Sequence, residues 1–226
     1  MDLSAHSGGD QDILGAFPDA LLACLRAAQR VVLVANNPAI DAADFAALHI
    51  GPRDVVVSFN ACVKWPLLTA ESVNVFVHGF NAPDHYFFGL PYRPELQALW
   101  AAAPARCFTM LVGVAAPMSA VPRVTLLRER MPLPPLWNYP LAHANGKRFV
   151  GPSSGFNALV LFDWLRRELG LGYQLLTLGY SNEAGKLWSG HGWDYERAWL
   201  ANADVQVVAL QRRSWWQRLT KALRGR

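Results

Sequence analysis

The chain has 226 residues, of which 52% are hydrophobic and 17% charged, a composition that excludes a disordered protein and suits one compact α/β domain. The net charge of +4 is concentrated in residues 212–226, which contain six cations and no acid, so it does not indicate a nucleic-acid-binding surface on the fold. The N-terminus lacks a signal-peptide pattern, and no apolar run reaches the roughly 18 residues of a membrane span. We therefore expect a cytoplasmic protein without a nucleic-acid partner.

The three cysteines, Cys24, Cys62 and Cys107, lie far apart in apolar runs. This spacing favours buried thiols in a reducing compartment over a disulfide framework or a metal site. The histidines are scattered, without the i, i+4 spacing of a metal-binding helix. We expect no metal and no cofactor.

The first half of the chain alternates helical and strand patterns after a disordered segment, residues 1–12. Three apolar, β-branched runs predict strands, and two of them end in asparagine. A helix at 41–50 is expected to begin at Asp41 as its N-cap. The predicted elements are a helix at 13–29, a strand at 30–40, a helix at 41–50, and strands at 54–63 and 72–80.

The second half contains an irregular, Pro-rich excursion or lid at 115–150, followed by another alternation of helix and strand. A polar loop is predicted at 189–200, and the chain ends in a basic tail. The predicted elements are a helix at 94–103, strands at 106–114 and 124–127, a helix at 154–169, and strands at 173–180 and 204–211.

Nearly all-apolar strands that alternate with helices predict a parallel sheet with helices on both faces. Ligands of such sheets bind beyond the carboxyl ends of the strands. Polar residues follow the predicted strands at this edge, and they predict an active site there: Asn36, Asn37, Asn60, His78, Tyr180 and Ser181.

Neither a P-loop nor a G-x-G-x-x-G pattern is present. Asparagines stand in "ANNP" after the first strand, where their amides can contact a nucleotide or simply form a turn. "PSSG" at 152–155 opens a helix, and its hydroxyls and backbone N–H groups favour an anion. The alternative is an ordinary serine N-cap.

His191 lies between Gly190 and Gly192, which suggests an open loop. Asp194 and Glu196 follow closely and are candidates to orient or charge-tune the imidazole. A general base needs that arrangement.

Three quoted segments carry a family resemblance. "VVLVANNPAI…DVVVSFNAC", "GPSSGFNALVLF" and "HGWDYE" resemble, in order, the large, small and very-small motifs of sialyltransferases. The resemblance covers residues 30–65 and 150–200. It implies a single Rossmann-like domain, a GT-A-like variant spanning 13–211. This domain would transfer a sugar, such as sialic acid or Kdo, with inversion and without a metal from a CMP-sugar to a glycan or glycolipid.

The resemblance also assigns roles to residues. His191 matches the catalytic base and Glu196 the acid of the third motif. The donor-nucleotide positions that match are Asn36, Asn37, Asn60, Ser153, Ser154 and Gly155. Asn37 and the Ser58–Phe59 pair depart from the family pattern. The tyrosines that hold the leaving phosphate have no clear match, so acceptor or phosphate contacts are assigned to His78, Tyr180, Lys186 and Trp188.

The basic tail, residues 212–226, places Trp215, Trp216, Leu219 and Leu223 on one helical face among cations. This pattern is typical of an amphipathic helix on an anionic membrane surface, here the inner face. The alternative is a C-terminal helix that packs on its own fold.

Two rival functions remain open. One is a pterin-pyrophosphokinase-like or motility-accessory nucleotide enzyme, which would use carboxylates at the sheet edge to hold magnesium. The other is a non-catalytic nucleotide-binding protein of the same fold. The amide- and hydroxyl-rich edge disfavours the first, and His191 with Glu196 disfavours the second.

Overall fold

The computed structural model describes residues 13–60, 62–78, 94–112, 123–126, 131, 133–142, 146, 148, 151–180, 187 and 189–211. Its centre is a seven-stranded sheet in which every neighbouring pair of strands is parallel. The strands are β1 (Arg30–Val34), β2 (Asp54–Phe59), β3 (Val73–His78), β4 (Cys107–Val112), β5 (Arg123–Leu126), β6 (Gln174–Leu178) and β7 (Gln206–Val208).

The strand order is β5-β4-β3-β2-β1-β6-β7. The chain first builds outward from β1 to β5, and then returns to the other side of β1 to add β6 and β7. The order therefore reverses between β1 and β6, which creates a crevice at the carboxyl ends of these two strands.

Six α-helices are described, and those long enough to cover the sheet lie on both of its faces. α1, α5 and α6 pack on one face, whereas α2 and α3 pack on the other. The helices are α1 (Asp19–Ala27), α2 (Ala42–Ala47), α3 (Pro94–Ala102), α4 (Pro134–Trp137), α5 (Ser154–Glu168) and α6 (Trp193–Asn202).

Strand β1 shows why helices cover both faces of the sheet. Val31 and Leu33 belong to the core under α1 and α5, and Val32 and Val34 belong to the core under α2. All four are almost fully buried, because alternate side chains of a strand point to opposite faces. Each such burial contributes about 1.5–3 kcal/mol of transfer free energy, which favours a strand that is apolar at every position.

An ion pair fixes the amino ends of β1 and β2. The guanidinium of Arg30 donates to both carboxylate oxygens of Asp54, at 2.9 and 2.6 Å, and the backbone N–H of Gly51 adds a third bond at 2.7 Å. Burial alone would raise the pKa of Asp54, but these hydrogen bonds and the charge of Arg30 lower it below its ordinary value. The pair sets the register in which Arg30 lies opposite Asp54.

The predicted α/β, Rossmann-like fold is confirmed. Asp41 caps α2 through its side chain and forms a capping box with Asp44. The strand predicted at 124–127 is β5. The helix predicted over 13–29 is interrupted: residues 13–14 are helical, a turn follows, and α1 starts at Asp19, directly after Pro18.

The prediction of a polar loop over 189–200 is wrong from Trp193 onward, where α6 begins. Tyr195 and Trp199 of this helix pack against the main core. Gly190 and Gly192 are buried, so the segment around His191 is packed and not open.

Other predictions concern the chain ends and the thiols. The N-terminal segment 1–12 and the tail 212–226 lie outside the described residues. The side chains of Cys62 and Cys107 are buried thiols, and that of Cys24 is a partly buried thiol. Within the described ranges, no helix combines the length and the apolar character needed to cross a membrane.

Candidate functional site

A pocket of about 450 Å³ lies where the strand order reverses. The segments that follow β1, β2 and β6 form one side of it. The first turns of α5 and α6 form the other side, together with His191 and Leu187. The pocket therefore brings together all six of the predicted nucleotide-binding positions.

Asn36 and Asn37 hold the loop after β1. The Asn37 amide donates to the carbonyl of Gly179 at 2.9 Å and its oxygen accepts from the N–H of Ala39. The Asn36 amide donates to the carbonyl of Phe59 at 2.9 Å and its oxygen accepts from Val63. Both asparagines thus connect neighbouring strand ends, and each amide keeps a second N–H for a ligand.

Asn60 connects β2 to α5. Its backbone has a φ of 45°, a left-handed conformation that asparagine tolerates better than most residues. Its side-chain amide lies 3.2 Å from the hydroxyl oxygen of Ser154. The pair predicted to lie near the donor phosphate is therefore in contact.

The N-terminus of α5 faces the pocket. The Ser153 hydroxyl is the N-cap and accepts from the N–H of Phe156 at 3.0 Å. The N–H groups of Ser154 and Gly155 have no acceptor within the part of the chain that the structure describes. These two donors, at the positive end of a 15-residue helix, form the anion-binding part of the pocket.

Glu196 is buried, with 7% of its surface exposed. One carboxylate oxygen accepts from the N–H of Ser153 at 2.9 Å and from the hydroxyl of Tyr139 at 2.8 Å. The other accepts from the Ser153 hydroxyl at 2.7 Å. Glu196 therefore fixes the start of α5, and its negative charge occupies part of that helix terminus.

Tyr139 extends this arrangement to the histidine loop. Its hydroxyl also accepts from the backbone N–H of Gly192 at 2.6 Å. A Cβ at Gly192 would lie 3.2 Å from the same hydroxyl and 3.1 Å from Pro140. Burial, followed by the charge of Glu196, raises the pKa of Tyr139, so the hydroxyl remains a neutral donor. No sequence signal marked Tyr139, which lies in the irregular Pro-rich segment.

His191 is oriented by the backbone. Its Nδ1 lies 2.6 Å from the carbonyl oxygen of Gly151. Because a carbonyl only accepts, Nδ1 carries a proton, and in the uncharged tautomer the lone pair is then on Nε2. Trp193 packs edge-on against the imidazole, with ring centroids 5.2 Å apart. The ring therefore has the tautomer and the fixed position that a general base requires.

The expected orientation of His191 by Asp194 or Glu196 is not what the structure shows. Asp194 is almost fully exposed and pairs with Arg197, and both oxygens of Glu196 bind Ser153 and Tyr139. The carbonyl of Gly151, two residues before Ser153, has this role instead. A backbone acceptor of this kind has no side-chain signature in a sequence.

Tyr180 lies against the first turn of α5. A Cβ on Gly155 would be only 2.7 Å from the Tyr180 hydroxyl, so the close approach requires glycine. The hydroxyl oxygen is buried and has no hydrogen-bond partner among the described residues. Burial, and then the charge of Glu196, raise the pKa of Tyr180. The site thus contains a neutral, unsatisfied O–H donor beside the helix terminus.

Arg197 also lines the pocket and was not among the predicted site residues. It lies four residues after Trp193, so a helical reading of this segment would have placed both side chains on the same face of α6.

Three of the predicted contacts are not tested by the geometry. Lys186 and Trp188 lie outside the described residues. His78 ends β3, but its side chain is also outside them. Within the described ranges, no group of three or more histidine, cysteine, aspartate or glutamate side chains is placed to hold a metal ion; the expectation of no cofactor stays a prediction.

The fold and site define a doubly wound, Rossmann-like α/β protein whose pocket lies at the topological switch point. In comparisons with known proteins, no family model, no curated protein and no solved structure matches the chain. The particular function is therefore argued from the pocket and from the motifs in the sequence.

Proposed function

We propose that this protein is an inverting glycosyltransferase that moves a sugar from a CMP-sugar donor to the hydroxyl group of a glycan or glycolipid acceptor. The observation that carries the proposal is the His191–Gly151 hydrogen bond, which fixes a base at the pocket where the first turn of α5 presents anion-binding donors. A base beside an anion-binding cradle is what transfer from a nucleotide-sugar requires.

The donor phosphate is placed at the first turn of α5. The N–H groups of Ser154 and Gly155 and the hydroxyl of Tyr180 supply neutral donors for it, and they act there as an oxyanion-binding set. Because the Glu196 carboxylate already occupies the donors of Ser153, the phosphate uses the next two residues and not the whole PSSG turn. Amide and hydroxyl donors of this kind suit a reaction that proceeds without a metal.

The reaction then follows from the tautomer of His191. Nε2 accepts the proton of the acceptor hydroxyl while its oxygen bonds to the anomeric carbon. The bond from that carbon to the phosphate oxygen breaks, and CMP leaves with the electron pair. The donors at α5 stabilise the charge that develops on the leaving phosphate.

A nucleotide screen tests the proposal. We expect CMP to raise the thermal unfolding temperature of the full chain, with and without magnesium, more than CDP, UDP, GDP or ATP. Stabilisation by ATP or GDP that requires magnesium would instead support the kinase-like alternative. CMP binding without release of CMP from any CMP-sugar, across a panel of glycan acceptors, would support a non-catalytic binding protein.

The location of the acceptor is proposed from the sequence of the tail, residues 212–226. Cations with tryptophan and leucine on one helical face favour a lipid-linked acceptor at an anionic membrane surface. We expect the full chain to bind vesicles containing anionic lipid and a 1–211 truncation to bind them weakly. Equal binding by both chains would remove the tail from this role and support its packing on the fold.

A further inference from the structure

A second open cavity, of about 1340 Å³, lies at the opposite edge of the sheet from the pocket described above. Gln174 and Gln206, at the amino ends of β6 and β7, line its floor, and the second halves of α5 and α6 form its walls. The start of α4 also lines it. Its described lining shares no residue with the first pocket, so it is a separate site, here called the rear groove.

Two tryptophans line the rear groove from neighbouring helices. Trp164 of α5 and Trp199 of α6 are each partly exposed, and both pack against the main core. Trp199 also meets Phe156 edge-on, with ring centroids 5.4 Å apart. The core contacts hold the two indoles in place while part of each remains accessible. Ordered aromatic surfaces of this kind suit the apolar C–H faces of sugar rings, which need little rearrangement to stack on them.

The charged side chains of the rear groove neutralise one another. Asp163 pairs with Arg166 at 2.9 Å and with Arg167 at 2.6 Å. Arg166 also pairs with Asp204 at 3.0 Å. These two acids and two arginines are the charged residues of the described lining, and together they carry no net charge. The groove therefore offers no electrostatic complement to a charged ligand.

The same ion pairs present donors and acceptors side by side. The side chain of Arg167 is 64% exposed and that of Asp204 is 93% exposed, so both retain hydrogen-bonding capacity toward a ligand. A hydroxyl group both donates and accepts. Neighbouring hydroxyls of a sugar can therefore bind a guanidinium and a carboxylate together without changing the charge balance. A purely apolar ligand would instead take water from both groups at a cost in free energy.

We propose that the rear groove is a second, non-catalytic binding site for an uncharged oligosaccharide, which stacks on the two tryptophans and hydrogen-bonds to the ion pairs. The ten residues of α6 begin two positions after His191 and end in the groove, a length of about 15 Å. A sugar unit bound there is remote from the base. The inference goes beyond the proposed function and does not depend on it.

Titration calorimetry on the full chain tests the proposal with three uncharged probes: lacto-N-neotetraose, maltohexaose and chitohexaose. We expect at least one probe to bind, with an affinity that saturating CMP leaves unchanged. Arg167→Ala and Asp204→Ala should each weaken that probe about three- to tenfold, and Trp164→Phe about two- to fivefold. Glu168→Ala, at an exposed position of α5 outside the groove, is the control and should bind normally. Thermal unfolding checks that each variant is folded.

Each contrary outcome is distinct. Failure of all three probes to bind would overturn the inference, while CMP binding would still support the proposed function. Probe affinities that are the same in the wild-type chain and in all three groove variants would place the binding elsewhere and overturn it as well. Sedimentation velocity and a 1–211 truncation identify other occupants. A dimer that Asp204→Ala dissociates would make the groove an interface between two copies, and probe binding by the truncation alone would assign it to the tail; either result would overturn the proposal.

Discussion

Ser153 and Glu196 are 43 residues apart in the chain, and two hydrogen bonds of 2.9 and 2.7 Å join them in the fold. Through Tyr139, the same carboxylate reaches the backbone beside His191. The acid of the third motif therefore connects the α5 turn to the histidine loop and does not contact the imidazole in the way that the sequence suggested. Its role in this geometry is to position both.

Replacing Glu196 should be strongly destabilising. Glu196→Ala leaves the buried hydroxyl of Tyr139 and the Ser153 N–H without their acceptor, so we expect a loss of about 2–4 kcal/mol in the free energy of unfolding. Glu196→Gln keeps the shape and one acceptor and should lose about half as much. Urea denaturation measures both. Glu168→Ala, at an exposed position of α5, is the control and should change stability by less than about 0.5 kcal/mol; an equal loss in that variant would contradict the prediction.

Removing the imidazole should strongly slow sugar transfer and leave the binding of the donor nucleotide nearly unchanged. We expect His191→Ala to lower the rate of sugar transfer by about two to four orders of magnitude, with the dissociation constant for CMP nearly unchanged. His49→Asn is a suitable control, because His49 is exposed and has a positive φ of 48°, which asparagine also tolerates. Transfer at a near-normal rate in His191→Ala would exclude His191 as the base.

Tyr180→Phe should affect stability and binding in different ways. Its hydroxyl is buried without a partner, so its removal should leave the free energy of unfolding unchanged or raise it by up to about 1 kcal/mol, while CMP affinity falls roughly five- to tenfold. Tyr173→Phe is the matched control. The Tyr173 hydroxyl donates to the carbonyl of Phe162 at 2.6 Å, so this variant should lose about 1–2 kcal/mol of stability and keep CMP affinity. Unchanged CMP affinity in Tyr180→Phe would show that the hydroxyl does not meet the phosphate.

Gly155→Ala should disturb the same contact by crowding it. The added Cβ would lie 2.7 Å from the Tyr180 hydroxyl and 3.2 Å from its ring carbon Cζ, so we expect a loss of about 1–3 kcal/mol. Combining it with Tyr180→Phe should recover part of this loss, because the nearest atom is removed. Gly172→Ala has no atom within 4 Å of the new Cβ and should be neutral or slightly stabilising. A loss in Gly172→Ala as large as that in Gly155→Ala would refute the steric explanation.

The Arg30–Asp54 pair should make stability depend on pH in acid. The pKa of Asp54 is lowered in the fold, so the pair stabilises the protein above the unfolded pKa of about 3.9. That contribution is lost as the pH falls through the lower folded value. Asp54→Asn should therefore cost about 1–3 kcal/mol at pH 7, and much less at pH 2. Urea denaturation at both pH values tests this; a difference between the two chains that stays constant with pH would show that the charge is not responsible.

The strand and helix patterns predicted the sheet well. Mostly apolar, β-branched runs such as 54–59 are buried on both faces of a parallel sheet, so their composition alone marked them as strands. The carboxyl-end residues Asn36, Asn37, Asn60 and Tyr180 also came together as expected, because parallel strands end at one edge. Local interactions, such as the Asp41 N-cap, could also be predicted from the sequence.

The contacts that position the site residues could not be predicted from the sequence. The Gly151 carbonyl is a backbone group, and Tyr139 comes from a segment without periodicity, so neither carries a pattern. The polar residues of "GHGWDYER" led to the prediction of a loop in place of α6. The buried side of this helix consists of only a few widely spaced aromatic residues and one acid, so it shows no clear apolar periodicity. Tertiary contacts decided these features.

The attachment of residues 135–139 to α6 has a consequence for ligand entry. Tyr195 donates to the carbonyl of Pro135 at 2.8 Å, and Tyr139 and Ser153 both bind Glu196, so three separate chain segments are joined by short bonds around one side of the pocket. They must move as a rigid unit or break buried bonds to move apart. Because this side of the pocket is already ordered before binding, ligand binding should cost little conformational entropy of the protein there.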